Sequence, residues 1–168
     1  ASAAGMRHFL EVFNPAFPID TSDEDIGIYI NDAIVRCLAG VAREERPLFL
    51  KMHYNGARAM AELAAYDPEN LIVGILGGSA GTARDTFELI SQAERFGARV
   101  ALFGRKIYYA EDSMEIVRSM RRVVQGEVSP TEAVKAYHDH IEKAGLIATR
   151  SLEDDLRVTD PILVSEAQ

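Results

Sequence analysis

Residues 71–82 read LIVGILGGSAGT, and this stretch decides the fold. Its first half is an unbroken apolar run of strand length, which is typical of a strand covered on both faces in a parallel sheet. Its second half is a glycine-rich turn that ends at Thr82, a residue type that commonly begins a helix. The stretch therefore predicts a β-strand that leads directly into an α-helix.

The same pattern of strand and helix recurs along the chain. Three more apolar runs of strand length lie at residues 8–13, 48–53 and 99–103. Segments with apolar residues at helical spacing alternate with these runs, at about 21–41, 55–66, 82–97 and 112–126. The alternation βαβαβαβα predicts an α/β fold with a parallel sheet and right-handed crossovers.

Residues 127–168 depart from this alternation. A Ser-Pro pair at residues 129–130 predicts a helix start, and the helix is expected to run to about Ala144. The polar stretch at 147–168 has no strong period, so we expect an extension that packs outside the sheet or is partly loose. The sequence thus divides into strand–helix pairs at 1–126 and a helical extension after them.

The length of the chain bears on the architecture. Four strand–helix pairs form either a small open sheet or half of a (βα)8 barrel, the TIM barrel, which takes about 250 residues when complete. The chain has 168 residues and opens with ASAAG, without an initiator Met, in a segment that resembles the end of a helix. We therefore expect about four pairs of a TIM barrel plus the extension, in a chain that begins in the middle of a larger arrangement.

Composition and charge argue against several classes of protein. The chain is 48% apolar and 26% charged, and no run approaches the roughly 18 consecutive apolar residues of a membrane helix. Its 18 basic and 26 acidic residues give a net charge of −8, so a nucleic-acid partner is not expected. The single cysteine, Cys37, suits a reducing compartment, and we expect a cytoplasmic protein with Cys37 in the core.

The strongest candidate for chemistry is Lys51, inside the apolar run at residues 48–53. Strand periodicity places Phe49, Lys51 and His53 on one face. Burying a lysine near the carboxyl end of a strand is costly unless the ammonium is paired or gives up its proton, and a Schiff-base lysine needs the neutral amine to attack a carbonyl. The alternative is a lysine on an edge strand whose ammonium group reaches solvent.

Glu11 occupies a similar position late in the preceding run, between Leu10 and Val12. If the two strands are neighbours, the side chains of Glu11 and Lys51 would meet. They would form either a static ion pair or a pair of proton donor and amine, and the residue types alone leave both open.

Glycine turns follow the third and fourth runs, at residues 77–81 and 104–106. Glycine lets the backbone approach a ligand, and a helix N-terminus attracts phosphate, although many such turns use glycine only for its backbone conformation. In a TIM barrel the loops after strands seven and eight are the usual phosphate site. Two such turns on consecutive strands therefore predict phosphate binding.

At these motifs the sequence resembles the carboxyl-terminal half of class I (Schiff-base) aldolases of the archaeal-type fructose-bisphosphate aldolase and deoxyribose-phosphate aldolase group. The similarity rests on the lysine strand with its following Tyr and Gly at residues 50–56, on the glycine turn at 77–82, and on residues 103–107. It covers roughly residues 6–125.

The resemblance implies a TIM barrel in which the four strands are strands five to eight. Lys51 would form a Schiff base with a phosphorylated sugar or a related carbonyl compound, and Tyr54 would line the pocket. The backbone of Gly77, Gly78 and Gly104, together with Arg105, would hold the phosphate. Ser79 in the glycine turn and His53 on the Lys51 face complete the predicted binding residues, with Glu11 as the second catalytic candidate. No cofactor and no metal site are predicted.

Two other functions stay open. One is a phosphosugar isomerase or another barrel enzyme that uses Lys51 without a covalent intermediate, and the other is a non-catalytic barrel that binds a phosphate ligand. A half barrel would expose two sheet edges, so we expect as partner either further copies in a homo-oligomer or a complementary amino-terminal half-barrel. A monomer with a closed core would instead indicate an open doubly wound sheet.

Overall fold

The structure is a computed structural model, and the residues that it describes are 2–17, 19–78 and 81–167. Ser79, one of the predicted binding residues, lies outside the described residues. Within the described ranges, four strands form a parallel sheet in the order β1-β2-β3-β4: Leu10–Val12, Leu50–Met52, Val73–Leu76 and Val100–Leu102. The prediction of an α/β fold with a parallel sheet is confirmed. Each strand is shorter than the apolar run that predicted it, because only the centre of each run pairs with its neighbours.

Eight α-helices lie in the described part of the chain. They are α1 Asp23–Ala39, α2 Ala57–Tyr66, α3 Ala83–Arg95, α4 Arg105–Tyr108, α5 Ser113–Val124, α6 Pro130–Lys143, α7 Leu152–Asp155 and α8 Pro161–Val164. The helix start predicted at the Ser-Pro pair is confirmed, and the structure adds a capping box there, because Ser129 and Glu132 accept each other's backbone N–H groups. None of the described helices is long and apolar enough to cross a membrane.

The chain divides into two compact units. The first unit consists of Ala1–Leu76 and Phe96–Leu102, and it contains the sheet with α1 and α2. The second unit consists of Gly77–Arg95 and Phe103–Gln168, and it contains α3 to α8. Lys51 therefore belongs to the first unit, and both glycine turns belong to the second.

The core of the first unit lies on one face of the sheet. Its most buried strand residues have at most 2% of their surface exposed and are Leu50, Met52, Val73 and Ile75. Helices α1 and α2 pack against each other in the same unit. Their buried apolar residues are Ile30, Ile34 and Leu38 on α1 and Ala59, Met60 and Leu63 on α2.

The expectation that Cys37 lies in the core is wrong, since its side chain is exposed. The buried stripe of α1 includes Gly27 and Asn31, which a count of apolar residues leaves out. A Cβ at Gly27 would lie 2.8 Å from the Cβ of Ala59, so glycine permits this close approach to α2. Asn31 donates a 2.9 Å hydrogen bond to the carbonyl of Ala59. These two contacts rotate the buried face of α1 away from Cys37.

The second unit has a core of its own, built from α3, α5 and α6. Its buried apolar residues are Phe87, Ile90, Ile116, Met120, Val123, Ala133, Val134, Tyr137 and Ile141. They recur at helical spacing on each element, as the periodicity of the sequence predicts. Helix α3 also buries a row of polar residues, which the periodicity does not predict: Arg84, Asp85, Glu88 and Gln92.

The carboxyl-terminal tail is tied to α3 within the second unit. Gln92 donates a 2.9 Å hydrogen bond to the carbonyl of Leu163, whose side chain is 1% exposed. The Thr82 hydroxyl donates to the carbonyl of Arg157 at 2.7 Å. A tail with these contacts is ordered along α7 and α8, and the alternative of a partly loose tail is not supported.

Candidate functional site

Lys51 and Glu11 meet on the sheet of the first unit. The parallel register of β1 and β2 places Glu11 directly beside Lys51, and the Nζ of Lys51 lies 2.7 Å from Oε1 of Glu11. Their side chains are 25% and 32% exposed, so the ion pair is partly open to solvent. Sequence position alone suggested that the two groups would meet if the strands were neighbours, and the structure brings them together.

Aromatic pairs lie on both sides of this ion pair along the same face of β1 and β2. Phe9 stacks on Phe49 with ring centroids 5.1 Å apart, and Phe13 approaches the edge of His53 at 6.2 Å. Side chains that alternate along neighbouring strands produce such a ladder. The ion pair therefore has aromatic neighbours before and after it along the strands.

On its other side Lys51 faces a glycine. The register pairs Lys51 with Gly74 on β3, and Gly74 in turn with Val100 on β4. A Cβ at Gly74 would lie 2.6 Å from the carbonyl oxygen of Leu50 and 3.1 Å from the Cβ of Val100. Close packing of the strands thus requires glycine here, and the β3 residue that pairs with Lys51 carries no side chain.

Burial lowers the pKa of His53, which favours the neutral imidazole at pH 7. The other predicted residue after β2, Tyr54, is buried with 6% of its surface exposed.

Next to Tyr54, Asn55 exchanges two side-chain hydrogen bonds with Asn14, at 2.7 and 3.2 Å. These amides connect the segments that leave β1 and β2, and they hold the carboxyl ends of the two strands together.

The glycine turn after β3 has structural reasons for its first two glycines. A Cβ at Gly77 would lie 2.7 Å from the ring of Phe103. Gly78 has a φ of 66°, the left-handed region that favours glycine. The turn therefore needs glycine whether or not it binds a ligand.

Arg105 reaches the glycine turn, because its Nη2 donates a 3.2 Å hydrogen bond to the carbonyl of Gly78. The two predicted phosphate-binding segments thus meet inside the second unit. Gly104 differs from Gly77 and Gly78, since its φ is −102° and a Cβ there would meet nothing within 4 Å. Neither conformation nor packing explains a glycine at 104, and the space beside it is open.

The first described amides of α3 are already hydrogen-bonded. Thr82 N–H donates to Asp85 at 2.9 Å, and Ala83 N–H donates to Asp155 at 2.6 Å. The Asp85 N–H donates in return to the Thr82 hydroxyl at 2.9 Å, which completes a reciprocal cap. A phosphate at this helix start would need free N–H groups, but carboxylates of the chain itself accept those of Thr82 and Ala83.

No group of three or more His, Cys, Asp or Glu suited to a metal ion occurs in the described ranges. His138 and His140 on α6 contact different carboxylates, Asp155 at 2.9 Å and Asp112 at 2.8 Å.

The sequence analysis did not identify three residues near the predicted sites: Asn14, Asn55 and Arg150. Asn14 and Asn55 lie just after predicted strands, and an amide side chain at that position was the available signal. Arg150 lines a cavity of the second unit together with Lys106. Nothing near Arg150 in the sequence indicates this, because the cavity is made by segments far apart in the chain.

Two comparisons, with protein families and with curated proteins, give no match. No protein-family model matches the chain, and no curated protein matches it. The function is therefore argued from the residues and their geometry.

Proposed function

We propose that the chain is an aldolase-like lyase that cleaves or forms a carbon–carbon bond in a phosphorylated sugar through a Schiff base on Lys51. The observation that carries the proposal is the contact of Lys51 with Glu11 at 2.7 Å, near the carboxyl ends of two parallel strands. Ligands of parallel α/β folds bind at the carboxyl ends of the strands. The partly open ion pair leaves the nitrogen within reach of a substrate.

Glu11 accounts for the proton transfers at the lysine nitrogen. Its carboxylate accepts a proton from the Lys51 ammonium, and the neutral amine attacks the carbonyl carbon of the sugar. The resulting carbinolamine takes a proton back at its hydroxyl group and loses water, which leaves a protonated imine. A static ion pair would not exchange these protons, and that difference can be measured.

The protonated imine then serves as the electron sink. A base removes the proton of the substrate hydroxyl, the adjacent carbon–carbon bond breaks, and its electron pair moves to the imine nitrogen to give an enamine and an aldehyde. Protonation of the enamine carbon and hydrolysis by water release the second product and the free Lys51 amine. The bond-forming reaction is the reverse sequence.

The second unit would supply the phosphate-binding groups. Arg105 lies at the Gly78 carbonyl, and the backbone at Gly104 is bordered by open space. An arginine beside open glycine backbone suits a phosphate, because both offer N–H donors to its oxygens. We assign the phosphate to the turn of Gly77 and Gly78 with Gly104 and Arg105.

The strand order supports a half barrel over a doubly wound sheet. Each strand pairs with its neighbour in sequence, in the order β1-β2-β3-β4, whereas a doubly wound sheet reverses its order at a switch point. A (βα)8 barrel has sequential order throughout. We therefore propose that residues 1–126 supply strands five to eight of a TIM barrel and that residues 127–168 extend it.

Reductive trapping tests the chemistry. Incubation with dihydroxyacetone phosphate and other ketose or aldose phosphates, followed by borohydride, should leave a covalent adduct on Lys51. The chain has only four lysines, Lys51, Lys106, Lys135 and Lys143, so peptide mass spectrometry assigns the adduct without ambiguity. Lys51→Arg should abolish the adduct, and Glu11→Gln should slow its formation about 100-fold if Glu11 transfers protons.

The outcomes separate the alternatives. Trapping at Lys106, or at no lysine while a control aldolase is trapped, would reject the Schiff base at Lys51. Phosphate binding by the unmodified chain without any adduct at Lys51 would favour the phosphosugar isomerase or the non-catalytic binding protein. An unchanged trapping rate in Glu11→Gln would leave Glu11 a purely structural partner of Lys51.

The sheet edges give a separate prediction. In the described residues β1 and β4 each pair on one side only, and an unpaired edge recruits further strands. We expect the 18.5 kDa chain to be a homo-oligomer or to bind a complementary half-barrel, and light scattering after size exclusion should give a multiple of this mass for the chain alone. A monodisperse monomer that binds no such partner would instead support an open sheet.

A further inference from the structure

The second unit contains a cavity of about 510 Å³ that shares only Arg105 with the groups of the proposed reaction. Every residue that lines it belongs to this unit. Ile116 and Tyr137, which are 4% and 2% exposed, contribute a deeply buried part of the lining. Three cationic side chains also line it: Arg105, Lys106 and Arg150. A volume of this size suits a small organic molecule.

Lys106 is the least exposed of the three cations. It forms no ion pair with any carboxylate in the described ranges, and burial lowers its pKa. Asp85 and Asp160 attract its charge, and Arg150 repels it. Asp85 accepts hydrogen bonds from Thr82, Thr159 and Asp160, and Asp160 itself caps α8. An ammonium group in this position lacks a close anion.

The carboxylates in the cavity lining are already engaged. Glu111 accepts hydrogen bonds from Thr149 N–H at 2.8 Å and from the Tyr137 hydroxyl at 3.1 Å. Asp155 accepts from Ala83 N–H at 2.6 Å and contacts His138. The acidic groups thus have partners within the chain, whereas Lys106 and Arg150 have none among the described carboxylates.

We propose that this cavity binds a small organic molecule that carries a phosphate group, with Lys106 as the inner contact of the phosphate and Arg105 and Arg150 as outer contacts. The phosphate supplies the close anion that Lys106 lacks, and the buried lining at Ile116 and Tyr137 receives the organic part. Arg105 is shared with the phosphate site of the proposed lyase, but Lys106 and Arg150 belong to this cavity alone. The site does not depend on chemistry at Lys51.

Calorimetric titration with phenyl phosphate, inorganic phosphate and phenol tests the site. Phenyl phosphate should bind about 10-fold more tightly than inorganic phosphate, because its ring removes apolar surface from water, and phenol should not bind measurably. Lys106→Met should weaken phenyl phosphate binding about 10-fold or more, since a charge-assisted hydrogen bond is lost. Arg150→Gln should weaken it less. Lys143→Met, at an exposed lysine at the end of α6, is the matched control and should bind as the unmodified chain does.

A second measurement uses the unmodified chain. Phenyl phosphate should protect Lys106 from acetylation while Lys135 and Lys143 react as before. Equal protection of these lysines, unchanged affinity in a folded Lys106→Met variant, or equal affinity for phenyl phosphate and inorganic phosphate would overturn the proposal. Lys51→Arg should keep this binding although it loses the borohydride adduct, so the two proposals fail independently.

Discussion

Replacement of Asp85 by Asn should lower the free energy of unfolding by about 3 kcal/mol, because the carboxylate accepts four hydrogen bonds in a site that is 4% exposed. Its oxygens accept from Thr82 N–H, from the N–H and hydroxyl of Thr159, and from Asp160 N–H, at 2.5 to 3.2 Å. Whichever way the amide of Asn is turned, its NH₂ group faces a backbone N–H. Those donors are then buried without an acceptor.

Chemical denaturation followed by circular dichroism measures this loss. Asp139→Asn is the matched control, since Asp139 is an exposed carboxylate on α6, and its stability should not change. Limited proteolysis should also cut the Asp85→Asn variant faster near residues 157–160, which the carboxylate holds against α3. An Asp85→Asn variant as stable as the control would contradict the anchoring role of Asp85.

The effect of Asp85 should depend on pH in a defined direction. Burial by itself would raise the pKa of Asp85, but the hydrogen bonds from Thr159, Thr82 and Asp160 outweigh it and hold the pKa below its ordinary value of 3.8. A carboxyl with a lowered pKa in the fold stabilises the protein above its unfolded pKa, and this contribution is lost as the pH falls through the lowered value. The difference between the unmodified chain and Asp85→Asn should therefore be full at neutral pH and shrink in acid.

Removal of the Glu88 carboxylate should be more damaging still. Glu88 is 1% exposed and accepts hydrogen bonds from Arg84 at 3.0 and 3.2 Å and from Gln92 at 2.9 Å. Glu88→Ala leaves the buried guanidinium of Arg84 without its carboxylate, and breaking a buried ion pair costs about 3–5 kcal/mol. Denaturant unfolding of the single variant measures this cost.

The double variant Arg84→Met/Glu88→Leu shows whether the loss of stability in Glu88→Ala comes from the buried charge of Arg84 or from lost packing. Replacing both residues with apolar side chains of similar size removes the buried guanidinium together with its Glu88 carboxylate, so most of the stability should return. Glu153→Ala is the matched control, because Glu153 and Arg157 form an i,i+4 pair with side chains 85% and 62% exposed, and it should leave stability unchanged. If the double variant were no more stable than Glu88→Ala, the ion pair would not be the cause of the loss.

Local features of the sequence predicted much of the fold. The four apolar runs mark the four strands, and the Ser-Pro start at 129–130 marks the beginning of α6. These features are local, because strand and helix periodicity and capping depend on neighbouring residues only. The contact of Glu11 with Lys51 was also within reach of the sequence, since both lie at a similar height in strands adjacent along the chain. Its catalytic role stays a prediction.

The tertiary structure alone decided which polar residues are buried. Arg84, Asp85, Glu88 and Gln92 form a polar row that periodicity would place in solvent, yet the tail and α6 bind and cover it. The cavity of Lys106 and Arg150 arises in the same way, from segments more than 40 residues apart in the sequence. Burial of a polar side chain depends on hydrogen-bond partners that come from distant parts of the chain. By itself the sequence determined the strands, the longer helices and the Lys51 position, while the packing of distant segments decided the surroundings of each charge.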